Sequence, residues 1–209
     1  MCDQRKTLTN LYREYADELD PKTAADFFRS DYLSTKKCAT HFSSKSTFME
    51  DTKSVLRKLE EVRAETLLLL EDLTQAQLDA RPPQCKDEEA WSLGEVFMHL
   101  AIDEIYLREL ITRPLLDGIK PPVYVSFIPP PPPYGIPKDV IFFWFDRSRI
   151  ETRRLLDNLP EDANLDITHE GGFEAMNGLK WLEAYAGHEA FHHQQIKYLI
   201  VQLPEFLKE

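Results

Sequence analysis

The segment GHEAFHH places His188 and His192 four residues apart, so on a helix both imidazoles lean from one face toward a single point. That is the spacing of a pair of metal ligands. Trp181, Tyr185, Ile196 and Leu199 continue the same three- and four-residue rhythm, which puts the histidines on the inward stripe of an amphipathic helix. Neutral rings in an apolar interior need partners, and each would cost about 1 to 3 kcal/mol without one. A shared cation would satisfy both.

Two histidines hold a divalent ion poorly, so a third donor is needed from His41, His99, His169 or His193. His99 is the best placed. In GEVFMHLAIDE it falls one turn after Glu95 and one turn before Asp103, adjoining an apolar stripe. His193 is expected about 100° around the helix from His192, His169 in a loop beside Gly171 and Gly172, and His41 in a weakly patterned N-terminal region. Those three are expected to face solvent. Asp103, Glu189 and Gln195 are the candidates for holding the ligating rings in place.

HEAFH also satisfies the zinc-protease pattern HExxH, but Gln195 and Tyr198 stand where a metzincin has its glycine and third histidine. Glu189 is therefore expected to be an outer carboxylate, with an acid–base role as the alternative. A ferritin-like dinuclear iron site needs two Glu-x-x-His motifs, and only Glu189 to His192 supplies one. One ion with open positions fits the donor set better. Ligation requires neutral imidazole, so affinity is expected to fall as the pH drops through the histidine range near ~6.5.

Four amphipathic helices are expected to carry these residues, with no convincing strand. The first, about 51 to 74, turns Val55, Leu59, Val62, Leu69 and Leu73 inward. The second opens at Ser92 with the capping-box pattern Ser-x-x-Glu and runs to about Thr112, before Pro114. The third begins beside Pro137, carries Val140, Phe143, Trp144, Leu155 and Leu159 inward, and stops at Pro160. The fourth spans about Asn177 to Leu203 and is closed by Pro204. Such helices bury their stripes only together, as a bundle. The run Pro129 to Pro133 reads as a stiff polyproline strap, long enough to let helices two and three run parallel; a ligand for an SH3-like or WW-like groove is its alternative reading.

Residues 1 to 48 hold eight Lys/Arg against seven Asp/Glu, whereas residues 49 to 209 hold 17 against 29. The first 48 residues thus read as an N-terminal extension and 49–209 as the bundle domain. The competing reading, translation starting at Met49, is settled by intact mass. With 43% hydrophobic and 29% charged residues the chain is expected to be globular. Its net charge of −11 opposes contact with nucleic acid. No apolar run approaches the ~20 residues of a membrane span and no signal-peptide core opens the chain, so a cytoplasmic location is expected. Three cysteines without a CxxC argue against disulfides and thiolate zinc.

WSLGEVFMHL and NGLKWLEAYAGHEAFHHQQI resemble the helix-two and helix-four motifs of DinB/YfiT-like proteins, and the similarity extends over roughly residues 51 to 203. The tryptophan-serine helix start, the histidine seven residues after Ser92, and HxxxH followed by Gln-Ile occur in the right order. The resemblance implies an all-α, four-helix bundle of up-down-down-up topology. It also implies a divalent ion, often zinc or nickel, on His99, His188 and His192. Members include thiol S-transferases that use low-molecular-weight thiols and a mycothiol-dependent isomerase, with related domains in ergothioneine-type synthases. The implied expectation is an enzyme that activates a thiol or water for a small-molecule substrate, and that can form a homodimer. The alternative is a non-catalytic, metal-stabilised bundle that binds a ligand or a protein.

Overall fold

In the computed structural model the residues described are 45–82, 91–121, 132–160, 163–170 and 174–207. Residues 1–44, which hold His41 and most of the expected N-terminal extension, and most of the proline run fall outside them. Helix α1 spans Lys45–Glu71 and a short α2 spans Gln75–Asp79. Helix α3 spans Leu93–Leu107 and passes through a π-helical turn, Arg108–Thr112, into α4, Arg113–Leu116. Helix α5 spans Lys138–Asp157 and α6 spans Gly178–Phe206. Among the described residues the one β feature is an isolated bridge between His169 and Met176, and no helix is long and apolar enough to cross a membrane.

Side-chain pairings fix the directions of the four long helices. Along α1 and α6, Lys58 pairs with Glu183, Arg63 with Glu189 and Glu65 with Lys197. Both numbers rise together, so these helices are parallel. Along α3 and α5, Phe97 meets Phe145, Glu104 meets Ser148 and Arg108 meets Thr152, again parallel. Between α3 and α6 the order reverses: Gly178 lies against Thr112 and Leu116, Tyr185 against Leu100, and His192 against His99. The topology is up-down-down-up.

Ser92 caps α3 as expected, its hydroxyl accepting from the Glu95 amide while the Glu95 carboxylate accepts from the Ser92 amide. Thr74 and Gln77 form the same reciprocal box at α2, a helix the sequence reading left out. Neither Pro114 nor Pro204 stops its helix. The π turn gives α3 one extra residue per turn where Pro114 follows, easing the clash of its ring with the preceding carbonyls. It also brings Leu107, Ile111 and Leu115 in succession to the interior. Pro204 stands in the last turn, where little helix remains to disrupt. At Gly178 a Cβ would lie 2.8 Å from Leu116 Cγ and 3.0 Å from the Thr112 carbonyl. Only glycine lets α6 start this close to the π turn.

The buried face of α5 is Ile141, Phe145, Ser148, Arg149, Thr152 and Leu156, one position round from the face expected. Phe143, expected inward, is 51% exposed. The large apolar residues misled the reading. Small hydroxyls at 148 and 152 let α5 approach α3, where Arg108 donates to the Ser148 carbonyl and the Thr152 hydroxyl.

The interior is layered along the bundle axis. One apolar cluster gathers Leu59, Leu107, Ile111, Leu156, Trp181 and Leu182, and another gathers Leu70, Val96, Phe97, Phe145, Ile196 and Leu199. Between them, each long helix contributes buried polar residues: Arg63 and Thr66; His99, Asp103 and Glu104; Ser148 and Arg149; and His188, Glu189, His192 and His193. Hydrophobic burial at the two ends, at ~25 cal/mol per Å² of apolar area, offsets the desolvation of this middle belt.

Candidate metal centre

His99 comes from the first two turns of α3, and His188 and His192 from the middle of α6. Their exposures are 7%, 8% and 5%. One nitrogen from each ring lies within 4.8 Å of the other two. The His99 and His188 Nε2 atoms are 3.3 Å apart, and His99 and His192 stand ring edge to ring face at 4.9 Å between centroids. The structure therefore brings the three sequence candidates to one point in the polar belt.

Burial, reinforced at His99 by the neighbouring His192 and His188, pushes its pKa well below the usual value. Burial lowers the His188 pKa to about 4. Burial and the neighbouring His188 lower that of His192 to about 3. All three rings are neutral near pH 7, as ligation requires. This moves the expected pH window: the donors stay unprotonated well below ~6.5, because a charged imidazole in this interior would be desolvated.

Gln195 Oε1 lies 2.6 Å from His192 Nδ1, so that nitrogen carries the proton and Nε2 keeps its lone pair for a ligand. Trp91 packs edge-on against His99 at 4.9 Å. Phe191, half exposed, packs against His192 at 5.8 Å. Asp103 is fully buried, its Oδ1 3.2 Å from His99 Nδ1 and its Oδ2 2.8 Å from His188 Nε2. Neither approach has the direction of a hydrogen bond, and among the described residues both carboxyl oxygens lack one. Burial raises the Asp103 pKa well above the carboxylate range.

Three neutral nitrogen donors beside an unsatisfied buried carboxylate fit a divalent cation. An ion there would use the converging lone pairs and supply the charge that Asp103 lacks.

Glu189 turns the other way. Its oxygens accept from Arg63, Arg149 and the Thr66 hydroxyl, so its carboxylate is fully engaged outside the histidine cluster. Arg63 and Arg149 also bind Glu104, which closes a neutral buried quartet of two arginines and two glutamates. Arg149 donates further to the Leu59 carbonyl, and Arg63 donates to the Tyr185 hydroxyl, which donates in turn to the Leu100 carbonyl. Burial alone would raise the Glu104 pKa, but Arg149 and Arg63 outweigh it and hold it at about 2.

Two histidines expected in solvent are buried, His169 at 3% and His193 at 3% exposure. His169 is covered by its bridge to Met176 and by Trp181, whose indole donates to its carbonyl. His193 lies against α1, with Nε2 2.8 Å from Thr66 Oγ1 and Nδ1 3.3 Å from Glu65. Neither joins the three-histidine cluster. Sequence reasoning missed the quartet's arginines, although Arg63 stands one turn after Leu59 and seven residues before Leu70, inside the inward rhythm of α1.

A search of curated proteins found no match. A sequence profile of the DinB superfamily matches residues 58–196, a span that holds the three histidines, the quartet and the greater part of the four long helices. On that match and this fold, the chain belongs to the DinB superfamily.

Proposed function

We propose that this protein holds one divalent ion, zinc or nickel, on His99, His188 and His192, and is an enzyme that activates a thiol or water on a small-molecule substrate. The observation that carries this reading is three buried, neutral imidazoles from two helices converging beside a carboxylate that, among the described residues, accepts no hydrogen bond. When bound, the ion would act as a Lewis acid that lowers the pKa of a coordinated thiol or water.

The chain's own residues do the rest. Gln195 fixes the His192 ring, Trp91 and Phe191 offer apolar surface beside the outer rings, and the quartet anchors α3 and α6 behind them. On the thiol route the substrate class is a low-molecular-weight thiol; on the water route the reaction is a hydrolysis. Elemental analysis tests the foundation: wild type should carry one equivalent of metal and His188→Ala close to none. Equal stoichiometry in both would sink the reading. A panel of thiols and electrophiles assayed with metal-loaded protein then tests the chemistry.

A second reading draws on the cluster's place midway along the bundle, where an ion would tie α3 to α6 as a purely structural clamp. In a cobalt-substituted sample, visible bands that shift on adding thiols favour the enzyme; bands indifferent to thiols favour the clamp.

A further inference from the structure

We propose that the cleft between α1 and α5 binds a small organic carboxylate with an apolar body. The site is separate from the metal centre: the three histidines come from α3 and α6, whereas the cleft is lined by the other two long helices.

Guanidinium groups span the gap between α1 and α5, where a bundle usually places apolar side chains. Arg63 reaches from α1 to the Phe145 carbonyl, and Arg149 reaches from α5 to the Leu59 carbonyl. Both line a cleft of about 630 Å³, a volume in the range of small-molecule sites. Leu67, Phe142 and Ile150 supply an apolar wall, and the Phe145 ring lies under the Arg63 guanidinium at 4.2 Å.

The charges are arranged for an anion. Among the described residues, four arginines line the cleft, Arg63, Arg149, Arg153 and Arg154, against two carboxylates, Glu60 and Asp146. Glu104 and Glu189, which neutralise Arg63 and Arg149, are fully buried and do not line the cleft, so an ion there meets the guanidiniums first. Arginine has five N–H donors; Arg149 uses three, on Glu104, the Leu59 carbonyl and Glu189, which leaves two for a further acceptor. Nearer solvent, Arg153 is held by Glu60, with side chains 52% and 36% exposed, and Arg154 shares Glu151 with Arg147. Exposed pairs of this kind are worth little, so a ligand carboxylate can replace Glu60 or Glu151 at modest cost. The net charge of −11 repels anions at long range, but physiological salt screens it beyond ~8 Å. A bare inorganic anion would leave the apolar wall wet, and an apolar body covers it.

The test titrates isotope-labelled, full-length protein with phenylacetate, its neutral counterpart phenylacetamide, and inorganic phosphate, following backbone amide shifts. Phenylacetate should bind with a dissociation constant of about 1 mM or tighter and shift amides of α1 and α5 around the cleft. Phenylacetamide and phosphate should each bind at least about tenfold more weakly. Two substitutions at exposed positions probe the site without touching the core, and thermal melts check that both variants fold. Arg153→Ala should weaken phenylacetate about tenfold, and Ile150→Trp, which fills the cleft, should abolish the shifts. The inference is overturned if phenylacetate shifts no amide at the cleft, or only those around His99, His188 and His192. Phenylacetamide or phosphate binding as tightly as phenylacetate would overturn it too, as would unchanged affinity in either variant. If a second copy of the chain occupies the cleft instead, both variants should lower the mass measured by light scattering without any probe, and the inference falls.

Discussion

Asp103 and Glu104 are consecutive, both fully buried, and electrostatically opposite: burial raises the first well above the carboxylate range, while two arginines hold the second at about 2. His188 and Glu189 repeat the contrast on α6. Successive helical residues diverge by 100°, so each pair sends one side chain to the histidine cluster and the other to the quartet. The quartet is a finished structure, charge-balanced and hydrogen-bonded across α1, α3, α5 and α6. The cluster is unfinished by protein atoms alone. The difference teaches how one polar layer can be built in two ways: paired buried charges fix the helices, and beside them neutral imidazoles converge next to a carboxylate that, among the described residues, accepts no hydrogen bond.

The largest effect should come from breaking the finished side. Glu104→Ala leaves Arg63 and Arg149 sharing one carboxylate in a desolvated interior, and removing one partner of a buried pair costs about 3 to 5 kcal/mol. Urea unfolding of metal-free protein should show that loss. A cost below about 1 kcal/mol would mean that water reaches the arginines and that the quartet is no keystone.

Acid should act on the unfinished side. The histidines have lowered pKa values in the folded state, so between the unfolded value near ~6.5 and the folded values of about 4 for His188 and about 3 for His192 the unfolded chain binds more protons. Their contribution is present above ~6.5 and is lost as the pH falls. Asp103, raised, opposes them with a single proton. Three imidazoles outweigh one carboxyl, and metal-free protein should lose on the order of 1 to 3 kcal/mol per pH unit as the pH falls below ~6.5. Denaturant midpoints across that range check the sign; stability flat down to pH 5 would show that the rings are solvated. The quartet adds nothing to this slope above the unfolded carboxylate value of about 4.5; below it, the lowered pKa of Glu104 removes its contribution progressively until the pH reaches about 2.

Metal should stabilise one region only. At a free concentration about a hundred times its dissociation constant, zinc adds roughly 2.7 kcal/mol to wild type, visible as a raised melting temperature that a chelator reverses. His188→Ala should melt alike with and without zinc. A zinc-induced rise that survives in His188→Ala would locate the ion elsewhere.

The donor geometry was legible because a four-residue spacing on a helix dictates a shared face, and the apolar rhythm around His188 and His192 named that face as inward. His99 followed from the same reasoning on α3. The quartet was illegible because a pattern search for the core counts apolar residues, and Arg63 and Arg149 occupy core positions with charged side chains. On α5 the error was a rotation: Phe143 and Trp144 drew the face toward themselves, whereas Ser148 and Thr152 mark the close contact. His193 was misplaced because α6 packs against both α1 and α3 and so buries a wider arc than one stripe. No local signal announces the π turn; it is visible only in the succession Leu107, Ile111 and Leu115 once their burial is known.

The smallest effect is the most diagnostic of how the unfinished region is prepared. Gln195 touches His192 through Nδ1 at 2.6 Å and contributes to neither apolar cluster nor the quartet. Gln195→Ala should leave the metal-free melting temperature close to wild type. It frees the imidazole to rotate and to exchange tautomers, so that Nε2 is presented for only part of the time. Zinc affinity should then fall about tenfold, close to 1.4 kcal/mol, without loss of stoichiometry. Gln195→Glu, whose carboxylate still accepts from Nδ1, should recover most of it. If Gln195→Ala binds zinc as tightly as wild type, packing by Phe191 and Trp91 alone orients the rings, and the cluster is held as rigidly as the quartet by a different means.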